Sequence, residues 1–283
     1  MRAAAVFGLN VPEKHLQQFQ DDSSTTWLKE LPATKDAADA IFIFGGDGTV
    51  HRHLPDLVRL QLPVLVVPCG SGNDFARALG LRSVRDALAA WKTFASGGTH
   101  LRSIDLGVIT ALSEPLHQHY FCCVGGIGLD AEVARRANQL PRWLRARGGY
   151  ALSLLPTMFQ FAPVAMKITH GESPAKARPT VLAAFANTPT YGGGMKIAPR
   201  AQLDDGQLDL CIIRDLDPFK LFCLFPTIYF GGHLRRPEVE YLQTPRLRIE
   251  TEQPQDVYAD GEYVCKTPVE ARVAKAALRV ITP

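Results

Sequence analysis

The sequence predicts an α/β fold with two parts, an N-terminal doubly wound parallel-sheet domain and a C-terminal β-rich sandwich domain. The early apolar runs "AAAVFGL", "AIFIFGG" and "PVLVVPCG" are continuous rather than alternating, which is typical of parallel strands buried on both faces. Helical patterns follow them in "PEKHLQQFQ", "HRHLPDLVRL" and "NDFARALG", so strands and helices alternate along this half.

The composition changes after Asp105. Strand-like pieces separated by turns rich in Pro, Gly and Asp then follow: "HYFCCVGG", "PVAMKITH", "TVLAAFANT", "LDLCIIRD", "RLRIETEQ" and "ALRVITP". This spacing is typical of an antiparallel sandwich. We therefore expect an α/β domain at 1–105 and a β-rich domain at 106–283.

Composition limits the classes of function. A net charge of +3 is too small to indicate nucleic acid binding, although it is compatible with an anionic ligand or a membrane surface. The 6 cysteines lack the paired spacing of a zinc site, so we expect reduced core residues in a cytoplasmic protein. We expect no signal peptide, and no apolar run reaches the roughly 20 residues of a membrane-spanning helix.

The stretch "FIFGGDGTVHRHL" places glycines and an aspartate between a strand and a helix. Parallel sheets bind ligands at this carboxyl end of a strand, and exposed amides at the helix start favour phosphate. Asp47 would repel a bare phosphate, which indicates a bridging Mg²⁺ or an acceptor hydroxyl to be oriented. The alternative is an ordinary tight turn.

A second loop, "PCGSGNDFARALG", repeats the arrangement at the next strand end. Asn73 or Asp74 is able to cap the following helix. Capping alone does not explain why two glycine-rich loops, each with an aspartate, follow consecutive strands. We therefore expect the two loops to converge on one crevice.

These paired motifs resemble those of the diacylglycerol kinase catalytic domain family, which includes sphingosine, ceramide and bacterial lipid kinases. "GGDGT" also occurs in NAD kinases and phosphofructokinase-like folds, whereas P-x-G-[ST]-x-N-D-[FL]-A is narrower. The resemblance continues in order through "SIDLG", "VGGIGLDAEV", "NTPTYGGGMKIAPRAQLDDGQLDL" and "YADGEYV". It implies an NAD kinase-like N-terminal domain and transfer of the γ-phosphoryl group of ATP, with Mg²⁺, to a lipid hydroxyl of the diacylglycerol or sphingoid type.

The resemblance also implies residue roles. The nucleotide would be held by Gly45, Gly46, Asp47, Gly48, Thr49, Val50, His51, Gly70, Ser71 and Asn73. The catalytic residues would be Asp260 as general base, Glu262 as an assistant at the metal, and Asp47. The carboxylates of a metal and water network would come from Asp47, Asp74 and Asp105, and a separate structural cation loop would use Asp205 with the carbonyls of Gln202 and Gln207.

Simpler interpretations of these residues stay open. Asp74 is also a candidate helix cap, and Asp105 a strand-end aspartate. The Asp-Gly pairs at Asp205 and Asp260 are also turn signals between strands. On an extended segment, Asp260 and Glu262 would point to one face.

The chain departs from the family pattern in its first loop, "GLNVPEK", where only Asn10 matches. Between the first strands of the second half lies a helical insertion, "AEVARRANQLPRWLRARGGYALSLLPTMFQF". It combines basic residues with aromatic and apolar ones, namely Arg135, Arg136, Arg142, Arg145 and Arg147 with Trp143, Leu144, Tyr150 and Phe159. They are compatible with an anionic membrane surface and equally with an ordinary amphipathic helix. The segment "PTIYFGGHLRRPEVEY" poses the same choice and adds a candidate wall for an acyl chain.

We therefore expect a cytoplasmic lipid kinase that associates peripherally with a membrane, where its lipid substrate lies, and that binds no nucleic acid. Homodimer formation stays open. Two alternatives are an NAD kinase, which the second glycine motif disfavours, and a non-catalytic nucleotide-binding sensor of the same fold, which the altered first loop favours and the full set of carboxylates disfavours.

Overall fold

The computed structural model describes residues 1–9, 11–20, 25–98, 100–140, 149–171 and 175–283, without the side chains of 149–152. The chain forms two compact units, Met1–Leu106 with Lys275–Pro283, and Gly107–Ala274. This division differs from the expected domains, 1–105 and 106–283, because the final segment, Lys275–Pro283, groups with the first unit. There Val280 pairs in parallel with Val64.

The first unit contains a parallel sheet in the order β2-β1-β3-β4. Its strands are β1 Arg2–Phe7, β2 Thr26–Leu28, β3 Ala40–Gly45 and β4 Val64–Pro68. Every residue of β3 and β4 is buried, as continuous apolar runs of a parallel sheet should be. The parallel α/β half predicted from the sequence is confirmed.

The helices of this unit alternate with its strands. They are α1 Lys14–Gln17, α2 Asp47–Leu60, α3 Asp74–Ala78 and α4 Val84–Ala95, with a 3₁₀ turn at Lys35–Ala37. Helix α2 buries Val50, Leu54 and Leu57 at helical spacing, and α4 begins where the Ser83 hydroxyl accepts a hydrogen bond from the Asp86 amide. The first glycine loop therefore lies between β3 and α2, and the second lies between β4 and α3.

The second unit is built from antiparallel strands, which confirms the β-rich domain. They are β6 Gln118–Phe121, β7 Val124–Gly128, β8 Val164–His170, β9 Arg178–Ala186, β10 Leu208–Arg214, β11 Val239–Thr244, β12 Arg246–Thr251, β13 Asp256–Ala259 and β14 Glu262–Lys266. The chain passes between the units within β5 Leu101–Ala111 and again within β15 Val269–Ile281. Strand β13 pairs with both β14 and β7, an arrangement that places the loop at Asp260 beside the start of β7.

The helices that the structure describes in the second unit are α5 Leu129–Gln139, α6 Gly149–Gln160 and α7 Pro218–Ile228, with a 3₁₀ turn at Gly232–Arg235. Helix α6 packs against α5 and α7. Among the helices that the structure describes, none has the length and apolar character needed to span a membrane. Asn10 lies outside the described residues. So do several residues of the helical insertion, namely Arg142, Trp143, Leu144, Arg145 and Arg147, and the side chain of Tyr150.

The cysteines only partly follow the expectation of core positions. Cys122, Cys123 and Cys211 are buried, and all 6 are free thiols. Cys69 and Cys265 are half-buried, however, and Cys223 is exposed. The prediction was wrong for Cys223, because it lies on the exposed side of α7, a helix whose apolar residues do not all face the core.

Candidate active site

The first glycine loop joins β3 to α2 with very little side-chain bulk. A Cβ at Gly45 would lie 2.4 Å from Thr49 Oγ1, so the Thr49 side chain needs a glycine there. Gly46 is the N-cap of α2 and offers no capping side chain. The positive end of the α2 dipole is therefore bordered by bare backbone, which suits a phosphate group.

The two glycine loops touch each other, as their positions at neighbouring strand ends predicted. A Cβ at Gly70 would lie 2.5 Å from Gly46 Cα, so the close approach requires glycine. Asn73 fixes the second loop: its Oδ1 accepts from the Gly70 amide at 2.9 Å and its Nδ2 donates to the Gly70 carbonyl at 2.7 Å. Asn73 therefore acts through the shape of the loop, and its φ of 55° is one that Asn tolerates better than most residues.

Asp47 links the two loops by capping the second helix. The amide of Asp74 donates to Asp47 Oδ2 at 3.0 Å, and the amide of Phe75 donates to Asp47 Oδ1 at 2.9 Å. The N-cap residue Asn73 makes no side-chain cap of its own. The interpretation that Asn73 or Asp74 caps this helix was wrong, because the capping carboxylate comes from the neighbouring loop.

Asp74 and Asp105 are both buried and both have partners. Asp74 is 2% exposed, and Arg77 Nη1 donates to its Oδ1 at 2.8 Å, while Arg77 Nη2 donates to the Gly72 carbonyl at 2.7 Å. Asp105 is 5% exposed and accepts from the Ala276 amide at 2.7 Å. Ala276 has a φ of 49°, so this bond supports a left-handed residue in β15. Sequence reasoning missed Arg77, although a spacing of three residues from Asp74 is a helical ion-pair signal.

A direct metal site at these three carboxylates is not assembled. Within the described part of the chain, the one group of three His, Cys, Asp or Glu ligand atoms lying within 4.8 Å of one another is Cys122, Cys123 and Asp260. Asp47, Asp74 and Asp105 therefore do not form a compact ligand set. A carboxylate oxygen that accepts one hydrogen bond from an amide keeps a further lone pair. Since Mg²⁺ usually retains several bound waters, these carboxylates fit Mg²⁺ by accepting hydrogen bonds from those waters.

The loop predicted to hold a structural cation combines a turn with two neighbouring carboxylates. Asp205 Oδ1 accepts from the Gln207 amide at 3.0 Å, and Gly206 has a φ of 72°, so the turn interpretation is correct. Gln243 Nε2 donates at 3.2 Å to both Asp205 Oδ2 and Asp209 Oδ2. Two carboxylates that share one amide donor suit a hard cation.

Asp209 lies beside this loop, at the start of β10, and sequence reasoning missed it. It is fully buried, and burial raises the pKa of its carboxyl, while hydrogen bonds from Tyr241 and Gln243 act in the opposite direction. Tyr241 donates to Asp209 Oδ1 at 2.5 Å. The only sequence signal was an aspartate between two leucines in "QLDL", which predicts a strand rather than a site. Gln202 is exposed beside the turn.

Asp260 lies in a hairpin turn rather than on an extended strand. Asp260 and Gly261 connect β13 to β14 with φ values of 51° and 85°, the signs of a type I′ turn. The expectation that Asp260 and Glu262 point to one face of a strand was wrong, because strand alternation does not hold through a turn. Glu262 is exposed at the start of β14.

The Asp260 carboxylate is held by the backbone that links β6 to β7. Oδ2 accepts from the amide of Cys122 at 2.8 Å, and Oδ1 accepts from the amides of Cys123 at 2.8 Å and Val124 at 3.2 Å. The Asp260 amide donates to the Val124 carbonyl at 3.0 Å, and Asn138 Nδ2 donates to the Gly261 carbonyl at 2.8 Å. The carboxylate therefore has a fixed orientation while Asp260 remains half-buried.

A polar pocket of about 190 Å³ lies against α5 and α6 in the same unit. Glu132, Arg136, Gln160 and Asp256 contribute to its lining. Glu132 binds the guanidinium groups of Arg135 and Arg136 at 2.7 Å, and the hydrogen bond from Arg135 is the main cause that lowers the pKa of Glu132. This pocket therefore holds a fixed negative charge beside basic groups.

Both units of the chain match known protein families. Residues 10–109 match the model of the diacylglycerol kinase catalytic domain, and residues 124–282 match the YegS C-terminal NAD kinase beta sandwich-like domain. A diacylglycerol kinase of Mycobacterium tuberculosis is 34% identical over 251 residues, which cover 89% of this chain and 79% of that protein. The chain belongs to the diacylglycerol kinase catalytic domain family. The resemblance drawn from the glycine motifs is confirmed.

Solved structures confirm the fold of this family member. The crystal structure of a putative diacylglycerol kinase from Bacillus anthracis matches with a TM-score of 0.76 at 21% identity, covering 100% of this chain and 95% of that one. An NAD kinase from Archaeoglobus fulgidus, solved in complex with ATP, matches with a TM-score of 0.56 at 13% identity, covering 100% of this chain and 94% of that one. The NAD kinase-like fold class predicted from the sequence is confirmed.

Proposed function

We propose that this protein is an ATP- and Mg²⁺-dependent lipid kinase that transfers the γ-phosphoryl group of ATP to a hydroxyl of a diacylglycerol or sphingoid-type lipid. The observation that carries the proposal is the pair of touching glycine loops at the uncapped start of α2. Family membership supports a kinase, and the M. tuberculosis relative is named a diacylglycerol kinase.

The nucleotide phosphates bind along residues 45–51 and at Ser71. Amides at the start of α2 donate to phosphate oxygens, and the absence of a Cβ at Gly46 and Gly70 lets the two loops that present the site lie against each other. Asp47 keeps the two loops together through the amides of Asp74 and Phe75. When bound, Mg²⁺ would offset phosphate charge, and water on the metal would be held by Asp47, Asp74 and Asp105.

Asp260 acts as the general base. As the lipid oxygen attacks the γ-phosphorus, the bond from that phosphorus to the β–γ bridging oxygen breaks, and the hydroxyl proton passes to an Asp260 oxygen. The backbone amides of residues 122–124 fix the direction of that oxygen. Because phosphoryl transfer needs mainly alignment and charge compensation from a protein, a base held by main-chain atoms is well suited to it. When Mg²⁺ is bound, Glu262, exposed beside the turn, would help to hold it.

The lipid surface is contacted by an exposed aromatic face on α6, α7 and the residues after α7. Phe159, Phe219, Phe222 and Phe230 are 58%, 70%, 42% and 85% exposed, and the rings of Phe159 and Phe222 are 6.2 Å apart. Exposed basic residues lie in the same segment, namely Lys220, Arg235 and Arg236. Aromatic side chains beside cationic ones are typical of a peripheral contact with an anionic membrane.

Vesicle binding tests this face. Phe230→Ser should weaken binding to vesicles that contain an anionic phospholipid by roughly tenfold or more, because burial of a Phe side chain contributes about 1.5–3 kcal/mol. Leu116→Ser is the matched control, since Leu116 is 94% exposed and lies outside the aromatic face. If both variants lost vesicle binding equally, or if neither lost it, the aromatic face would not be the membrane contact.

The acceptor is tested with γ-labelled ATP, Mg²⁺ and mixed micelles of diacylglycerol, monoacylglycerol, ceramide or sphingosine, with NAD⁺ in a parallel reaction. We expect label in a lipid and none in NAD⁺. Label in NAD⁺ alone would replace the proposal with an NAD kinase. Label in no acceptor, with ATP bound, would favour a non-catalytic nucleotide sensor.

A further inference from the structure

Cys122 and Cys123 lie beside Asp260 with their sulfur atoms on the same side. They occupy the link between β6 and β7, outside both strands, so the alternation that would send adjacent side chains to opposite faces does not apply. The two Sγ atoms are 3.9 Å apart, and Cys122 Sγ lies 3.4 Å from Asp260 Oδ2. Both thiols are buried, at 0% and 2% exposure.

Two of the three ligand separations match a tetrahedral metal site, and all three ligand atoms lie within 4.8 Å of one another. With zinc–sulfur bonds of about 2.3 Å and a zinc–oxygen bond of about 2.1 Å, tetrahedral angles place two sulfur ligands about 3.8 Å apart and sulfur and oxygen about 3.6 Å apart. The observed 3.9 Å and 3.4 Å are within a few tenths of an ångström of these separations. The same amides that bind the Asp260 carboxylate fix the backbone of both cysteines.

We propose that Cys122, Cys123 and Asp260 form a binding site for a thiophilic divalent cation such as Zn²⁺. Binding forms two metal–sulfur bonds and one metal–oxygen bond, breaks two S–H bonds and releases two protons to the buffer, with no change of oxidation state. The fourth coordination position is left to water. Asp260 is half-buried, and the cation reaches the thiols from its exposed side.

The ligand set separates this cation from Mg²⁺. Thiolates select soft or borderline metals, whereas Mg²⁺ prefers oxygen ligands in an octahedral arrangement. Excess Mg²⁺ therefore leaves the site open to Zn²⁺. One consequence rests on the proposed function: a metal bound to Asp260 occupies the oxygen that would accept the hydroxyl proton, so Zn²⁺ inhibits phosphoryl transfer and a chelator restores it.

Binding is measured on the full chain with Cd²⁺ as the probe, in excess Mg²⁺ and without ATP or lipid. The two readouts are the ultraviolet thiolate-to-cadmium absorption and the number of protons released. We expect one Cd²⁺ per chain, two protons, and competition by Zn²⁺. Cys122→Ser and Cys123→Ser should each weaken binding by more than the roughly 10–100-fold that loss of an outer-shell partner costs. Cys265→Ser is the control, because Cys265 is half-buried in the same unit but outside the cluster.

Asp260→Asn provides a variant that keeps both thiols. It should bind Cd²⁺ with lower affinity while its far-ultraviolet circular dichroism stays native, and the serine variants are compared by the same spectrum. Absorption that survives in both serine variants, or that Cys265→Ser also removes, would overturn the site. Because no substrate is present, this result is independent of the kinase proposal. In an active preparation, transfer that continues with the metal bound would overturn the inhibition alone.

Discussion

Replacement of Asp260 by Asn tests the backbone cradle around its carboxylate. The side chains of Asp and Asn have the same shape, but the Asn amide offers one acceptor oxygen where the Asp carboxylate offers two. The most favourable placement puts the amide oxygen at Oδ1, where it still accepts from Cys123 and Val124. The amide nitrogen then faces the Cys122 amide, which donates to Oδ2 at 2.8 Å in the wild type, so two donors oppose each other.

The loss in the free energy of unfolding follows from these contacts. Loss of the charge-assisted bond from Cys122 costs about 1.5–3 kcal/mol, and the two remaining bonds each weaken by about 1 kcal/mol when the acceptor becomes neutral. The sum is about 4 kcal/mol. For a unit of this size, 1 kcal/mol lowers Tm by roughly 2–4 °C, so we expect a decrease of roughly 8–16 °C.

Differential scanning calorimetry at neutral pH measures this change. Glu262→Gln is the matched control, because Glu262 is exposed two residues away, and surface substitutions usually change stability by about 0.5 kcal/mol or less. A decrease below about 2 °C for Asp260→Asn would refute the conclusion that the three amides hold the carboxylate, since that is less than one weakened hydrogen bond predicts.

Two further predictions concern other parts of the site. Gly70→Ala should destabilise the protein and weaken ATP binding, because the added Cβ would meet Gly46 Cα at 2.5 Å. Stability is measured by calorimetry, with Ser71→Ala in the same loop as the control. Equal Tm values for the two variants would contradict the close approach of the loops. The raised pKa of Asp209 means that the folded state holds its proton more tightly than the unfolded state, so its contribution to stability falls as pH rises above 3.8 through the folded pKa. Asp209→Asn should therefore flatten the decrease in urea stability as pH rises above 3.8, and an unchanged pH profile would refute this.

Local sequence patterns predicted the elements and the order of the motifs. The strands of the first unit were recognised because β3 and β4 are apolar along their whole length, and burial on both faces leaves that mark in a sequence. The glycine loops were recognised for a similar reason, since Gly46 and Gly70 are required by backbone contact. Such features depend on a few neighbouring residues.

The contacts that shape the site were not predictable in this way. Asp47 caps a helix 27 residues away, and Asp260 binds an amide 138 residues away, so neither contact has a local pattern. The orientation expected for Asp260 and Glu262 failed because strand alternation was applied across a turn. The sulfur atoms of Cys122 and Cys123 came together for the converse reason, since the link between β6 and β7 is not a strand.

The central claim is that the protein phosphorylates a lipid hydroxyl with Asp260 as the base. Its most direct test is the initial rate of phosphatidate formation from diacylglycerol micelles and γ-labelled ATP, measured for the wild type and Asp260→Asn at a temperature where both are folded. We expect the wild type to form labelled phosphatidate and the variant to be slower by roughly 10²–10⁴-fold while it still binds ATP. Equal rates for the two proteins would contradict the account.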